Sequence, residues 1–243
     1  MHESATERVQ GKSSGPFKDA SMFDVLIADD HPLFRDALLH AVVSAVPQAQ
    51  VQSAADVQSL LTLIREHPDA DLLLLDLHMP GAHGYSALAH IRSQYPGLPT
   101  IVISGHEEPQ VALRALAHGA AVYIPKSSSA EDIVRAIHAV LDGDVWLPQH
   151  MLGGKAELKP DEAEMAARIA TLTPQQFRVL TMICEGLLNK QIAFELSVSE
   201  ATVKAHMTAI MRKLGVNNRT QVVLVTSHLA LEPGMLQTLP VDG

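Results

Sequence analysis

One cysteine, Cys184, stands in 243 residues, so no disulfide framework can form within the chain. Aromatic residues make up only 4%, which leaves little material for an enclosed apolar ligand pocket. Long apolar stretches are also missing: runs such as Leu72 to Leu75 fall far short of the roughly 20 residues a membrane helix requires. No charged-then-apolar leader with a small-residue cleavage site opens the sequence. Together these absences lead to the expectation of a cytoplasmic protein without membrane contact. Positive charge is scarce as well, 18 Lys/Arg against 27 Asp/Glu, but the deficit is uneven. Residues 21–146 hold six Lys/Arg against fifteen Asp/Glu, whereas residues 172–230 hold six against three. An acidic front half and a mildly basic back half allow a cation to be held at one end and DNA at the other.

The length fits two packed units joined by a linker. The first twenty residues are rich in Ser, Gly, Lys and Glu without apolar periodicity and read as a disordered extension. From Met22, continuous apolar runs (Phe23 to Ala28, Asp71 to Leu75, Thr100 to Ile103, Ala121 to Ile124, and a weaker Ala49 to Ser53) alternate with helical patterns. The helices are expected near Leu33 to Val46, Val57 to Glu66, Ser86 to Gln94, Val111 to His118 and Ala130 to Leu141. Strands that are apolar throughout, each followed by a helix, require a parallel sheet covered on both faces. Five such units predict a doubly wound α/β domain. Gly143 and the segment Gln149 to Lys159, with glycine, proline and charge but little periodicity, mark the linker, and Pro160 to Ala170 adds a short acidic-starting helix. Beyond Leu172 the pattern is helical only. Thr173, Pro174 and Gln176 form a start signal of hydroxyl cap, proline at the first position and capping-box glutamine, and Asn218 with Gln221 repeats the device.

Ligands of a parallel α/β sheet gather at the carboxyl edge of its strands. The first strand ends in Asp29 and Asp30, the third in Asp76, the fourth in Ser104, and the fifth runs into Lys126. Three carboxylates repel unless a cation sits among them, and oxygen ligands of this kind suit Mg²⁺. Carboxylate, metal and lysine are what phosphoryl transfer to an aspartate demands: Asp76 attacks phosphorus, Lys126 offsets charge, and Ser104 donates a hydrogen bond. His31, His78 and His83 supply no ligand pair at helical spacing, so no transition-metal site is expected from them.

These residues, with Asp76 inside LLLLDLHMPGAHG, Ser104 inside IVISG and Lys126 inside YIPKS, resemble the receiver-domain signature over roughly Phe23 to Asp142. The resemblance implies a flavodoxin-like fold and Asp76 as phosphoacceptor from a sensor histidine kinase. It also implies metal binding by Asp30 and Asp76, helped by the His78 carbonyl and by Asp29 through water. Ser104 and Tyr123 become the pair that moves on phosphorylation, the tyrosine ring turning inward. His83 departs from the family, which more often places an acidic or small polar residue before Gly84.

In the back half, Ile192, Ala193 and Leu196 continue into Val203, Met207, Ile210 and Leu214 as one apolar face across a turn at Ser197 and Val198. Ser199 caps the second helix, whose opposite face shows Lys204, Ala205 and Thr208. Such a crossing suits the major groove. The segment resembles the LuxR-type helix-turn-helix of NarL/FixJ-type response regulators through Leu172-Thr173, Glu185-Gly186, Asn189 to Ala193, Thr202-Val203-Lys204, Lys213-Leu214 and Arg219-Thr220. That likeness implies base contacts from Lys204, Ala205 and Thr208, and phosphate contacts from Asn189, Lys190 and Thr202. It further implies a homodimer on promoter DNA through the receiver and the last helix, Thr220 to Leu231. The expected division is therefore extension 1–21, receiver 22–143, linker 144–170, helix-turn-helix domain 171–232 and tail 233–243.

Two rival functions are weighed against this one. An aspartate-nucleophile phosphatase carries D-x-D, but position 78 is His. A small-inducer receptor needs an apolar pocket that the composition hardly supports, and it leaves the clustered acids unexplained.

Overall fold

A computed structural model describes residues 23–143 and 159–229. The expected extension, most of the linker, the end of the last helix and the tail lie outside the described residues. Five strands, β1 (Asp24–Ala28), β2 (Gln50–Ala54), β3 (Leu72–Asp76), β4 (Thr100–Ser104) and β5 (Val122–Pro125), pair in parallel in the order β2-β1-β3-β4-β5. Between and after them run α1 (Pro32–Ala45), α2 (Val57–Glu66), α3 (Ser86–Gln94), α4 (Pro109–Ala117) and α5 (Ala130–Leu141).

Period two along each strand divides the core. Val25, Ile27, Leu72, Leu74, Ile101, Ile103, Val122 and Ile124 face α1 and α5; Leu26, Ala28, Leu73, Leu75, Val102 and Tyr123 face the layer of α2, α3 and α4. Because both faces are apolar, the central strands carry no polar alternation. The edge strand β2 exposes Gln50, Gln52 and Ser53, which is why its signal in the sequence is weak.

The second unit comprises α6 (Pro160–Ala170), α7 (Pro174–Cys184), α8 (Asn189–Glu195), α9 (Glu200–Leu214) and α10 (Arg219–Thr226), followed by a single 3₁₀ turn, Ser227–Leu229. Thr173 caps α7 in a complete capping box with Gln176. Ser199 accepts from the Thr202 amide at 3.1 Å, and Asn218 from the Gln221 amide at 2.8 Å. Between α8 and α9, Ser197 takes a left-handed φ of 52°, which makes the sharp turn. Val203, Met207, Ile210 and Leu214 are buried as their spacing requires.

The two units are packed together. The core layer of α2, α3 and α4 continues without a break into Ile169, Phe177, Val179 and Leu180, and α3 lies against α6.

Candidate functional site: a carboxylate–lysine pocket and an exposed helix

All the predicted acidic-site residues meet at the carboxyl edge of the sheet. Asp29 follows β1, Asp76 closes β3, Ser104 closes β4 and Lys126 follows β5. The lysine is the centre of the arrangement: its Nζ lies 2.7 Å from Asp29 Oδ2 and 2.8 Å from Asp76 Oδ2. Burial opposes its charge, but the bonds to Asp29 and Asp76 outweigh that and hold its pKa above the ordinary value. The other oxygens of the same carboxylates accept backbone amides, Asp29 Oδ1 from His31 at 2.7 Å and Asp76 Oδ1 from His78 at 2.9 Å. Both aspartates are buried, and fixing two oxygens of each leaves their orientation settled.

Asp29, Asp30, His31 and Asp76 each offer a ligand atom within 4.8 Å of the others. Three carboxylates against one lysine leave negative charge in a small space, so the donor set fits a hard, oxygen-seeking dication. A cavity of about 610 Å³ opens over these groups and is lined by His31, Phe34, Asp76, His78, His106 and Lys126.

Tyr123 is fully buried, and its hydroxyl donates to the His106 carbonyl at 2.6 Å. The ring therefore already stands inward in this arrangement. Burial, partly offset by the Ser104 hydroxyl, pushes its pKa up to about 12. Ser104 in turn accepts the His106 amide at 3.3 Å, so residues 104, 106 and 123 form one linked group.

In the second unit Lys190, Thr202, Lys204, Ala205 and Thr208 are exposed, and Asn189 is half-buried at the start of α8. The face of α9 expected to read bases is thus open to solvent even with the two units packed together. Thr208 donates its hydroxyl back to the Lys204 carbonyl at 3.0 Å, and Thr202 shares a bond with Ser199 at 2.9 Å. Lys204 is left as the long cationic reach of this face.

What the sequence did not announce is how the two units are clasped. Glu162, on α6 and 4% exposed, accepts from Arg114 Nε at 2.8 Å and from His118 Nε2 at 2.7 Å through the same oxygen. Tyr85 fills the space beneath: Arg114 lies over its ring and His118 stacks on it. His90 stacks on Phe177 with centroids 4.1 Å apart, and Arg178 bonds Gln58. His83, at a left-handed φ of 43°, places Nε2 3.2 Å from the Thr181 carbonyl; its departure from the family pattern is thereby a contact with α7. Gly81, at φ 81°, serves the same junction, since a Cβ there would stand 3.1 Å from Val57 and 3.6 Å from Thr181. Finally, the Tyr85 amide donates to the Leu229 carbonyl at 2.9 Å, pinning the turn after α10 to the first unit. These contacts join residues many positions apart, and no local pattern marks them.

Comparison with known proteins agrees with this layout. The family model for a response regulator receiver domain matches residues 25–138, and that for bacterial regulatory proteins of the luxR family matches residues 170–226. The glycerol metabolism activator of Pseudomonas putida is 41% identical over 84% of this chain and 94% of its own length. The chain belongs to the response regulators. The nitrate/nitrite response regulator protein NarL of Escherichia coli K12 is 32% identical over 82% of this chain and 93% of that protein. Among solved structures, the response regulator RcsB–DNA complex covers 86% of this chain and all of its own at a TM-score of 0.50 and 24% identity, a likeness of fold. Among the described residues of this response regulator, no helix is long and apolar enough to cross a membrane.

Burial at the clasp has a pH consequence. His90 is pulled down to about 4 by burial, against a smaller opposing effect of the Ile169 backbone. Burial also lowers His118, against the opposing bond and charge of Glu162, and lowers His83, against the Thr181 carbonyl. Each is therefore neutral when packed and takes a proton more readily once exposed. Their stabilisation is complete above the ordinary histidine value of 6.5 and is lost as the pH falls below it, for His90 over the range down to about 4. For His90 alone, going from pH 7 to pH 5 is expected to remove about 2 kcal/mol. Chemical denaturation at the two pH values checks this, with a smaller drop expected for His90→Phe.

Proposed function

We propose that this response regulator is a transcription factor whose Asp76 accepts a phosphoryl group from a sensor histidine kinase and whose α9 then engages promoter DNA as part of a homodimer. The observation that carries the reading is the Lys126 amine set between Asp29 and Asp76 at 2.7 and 2.8 Å. A cation poised on the nucleophile's own oxygen is placed to receive the oxygens of an incoming phosphoryl group. In the transfer, a carboxylate oxygen of Asp76 forms the new bond to phosphorus as the phosphorus–nitrogen bond of a phosphohistidine breaks, and the imidazole leaves. Ser104 donates its hydroxyl to a phosphoryl oxygen, while Lys126 exchanges its bond to Asp76 for one to the phosphoryl group. Asp30 and Asp76, with the His78 carbonyl and with Asp29 through water, would hold Mg²⁺. Mg²⁺ bound there supplies charge neutralisation for the transferring oxygens. Leu33, 87% exposed at the rim of the cavity, offers the kinase an apolar foothold.

We assign residues 22–143 to the receiver and 171–232 to the DNA-binding domain, with α6 at the end of the linker as part of the clasp. Leu224, 55% exposed on α10, supports pairing of that helix with its copy. A cytoplasmic location follows from the proposed partners.

The test is phosphoryl transfer from a small acyl phosphate, followed by intact mass. One phosphoryl group is expected per chain in the presence of Mg²⁺ and none with a chelator or in Asp76→Asn; labelling of Asp76→Asn overturns the assignment. For the DNA face, Lys204→Ala is expected to weaken operator binding about tenfold with unchanged thermal stability, because Lys204 is exposed. Fluorescence anisotropy across a salt series measures it, and a shallower salt slope identifies a phosphate contact.

A further inference from the structure

The carboxyl edge of the sheet holds a second set of ligand atoms that phosphoryl transfer does not use. His78 follows β3 and His106 follows β4, 28 positions apart in the chain, yet their rings stack with centroids 4.8 Å apart and planes inclined by 27°. Their Nε2 atoms face each other at 3.1 Å. At that distance one imidazole gives its Nε2–H to the other's lone pair, and a metal ion bound by both nitrogens can take the place of that proton.

Two features favour the ion. Two nitrogens bound to one tetrahedral zinc at about 2.05 Å each stand about 3.3 Å apart, so the pair needs to spread by only a few tenths of an ångström. And His106 Nδ1 lies 3.2 Å from the Glu108 carboxylate. A histidine that gives its far N–H to a carboxylate has its tautomer fixed, its orientation set and its Nε2 lone pair turned outward, which is the common supporting arrangement of metal-binding imidazoles. The pair is also reachable: the His78 and His106 side chains are 40% and 18% exposed, and both line the cavity above Asp76.

We propose that His78 and His106 form a binding site for a divalent transition ion of the zinc class, with Glu108 orienting His106 and water completing the coordination shell. Nitrogen ligands distinguish it from the neighbouring carboxylates, which suit Mg²⁺. The bound ion ties the loop after β3 to the loop after β4 at the mouth of the pocket. The site stands on its own geometry and does not require that Asp76 be phosphorylated.

Zn²⁺ titration of the full chain against a chromophoric chelator, in excess Mg²⁺, tests this. The chain has thirteen histidines, so the readout is the difference between proteins. Wild type is expected to hold one more Zn²⁺ than His106→Gln, and Glu108→Gln to bind that ion about tenfold more weakly. The Tyr123 hydroxyl bonds the backbone of residue 106, which His106→Gln keeps, and Glu108 is 63% exposed; thermal unfolding confirms that each variant is folded, and Glu108→Gln provides an arm independent of the first. Equal Zn²⁺ uptake by wild type and both variants overturns the site and leaves a shared proton between the rings. Displacement of the extra Zn²⁺ by Mg²⁺ also overturns it, by moving the ion to the carboxylates.

Discussion

Asp76→Asn is expected to make DNA binding indifferent to a phosphodonor. In wild type, labelling is expected to raise the affinity for a selected operator duplex at least about tenfold, within the usual range of coupling between two sites. Asparagine preserves the shape of the side chain and can still accept the His78 amide, but it has no carboxylate to attack phosphorus. It also withdraws one of the two anions that Lys126 bridges, while Asp29 remains in place at 2.7 Å. The variant should therefore fold and bind DNA at the basal level. Fluorescence anisotropy of both proteins with and without an acyl phosphate measures the effect. A variant that still gains affinity would move the input away from Asp76.

The second large effect is expected at the clasp. Glu162→Ala removes the carboxylate that Arg114 and His118 both bond, and breaking its buried ion pair with Arg114 costs about 3–5 kcal/mol. That loss falls on the packing of α6 against the receiver. The readers on α9 are exposed already, so the clasp does not work by covering them. We propose that it acts through the turn after α10, where the Tyr85 amide holds the Leu229 carbonyl. Releasing it frees the helix expected to pair between copies. Glu162→Ala should accordingly bind operator as a dimer without a phosphodonor and show a larger radius of gyration in X-ray scattering. Glu162→Gln keeps an oxygen acceptor and should fall between the two. Unchanged scattering and unchanged basal affinity in Glu162→Ala would remove the clasp from the mechanism.

Coupling from pocket to clasp has a structural route. Ser104 and His106 precede α4, Tyr123 bonds the carbonyl of His106, and α4 carries Arg114 with His118 as its cap. The loop after β4 is thus continuous with the helix that grips Glu162.

Much of this was legible in the sequence because it is local. Strand ends, caps and apolar periodicity depend on neighbours a few positions away, and they placed Asp29, Asp76, Ser104, Lys126, the caps at Thr173 and Ser199, and the buried face of α9. The clasp was not legible. Glu162 reads as one more acid in the first turn of a helix, and only the docking of α6 on α3 brings it to Arg114, 48 positions earlier. His106 escaped for the same reason, since its partner His78 lies on another loop. Tyr123 was expected to turn inward, but its burial on the side facing α4 is set by strand alternation in β5.

We propose that the pocket around Asp76 and the clasp around Glu162 are two ends of one switch. The most direct test is the distance between spin labels placed on α2 and α7, measured before and after beryllofluoride, a phosphoryl mimic, is added with Mg²⁺. A longer distance in wild type and no change in Asp76→Asn is the predicted result; an unaltered distance in wild type, with the mimic bound at Asp76, would contradict it.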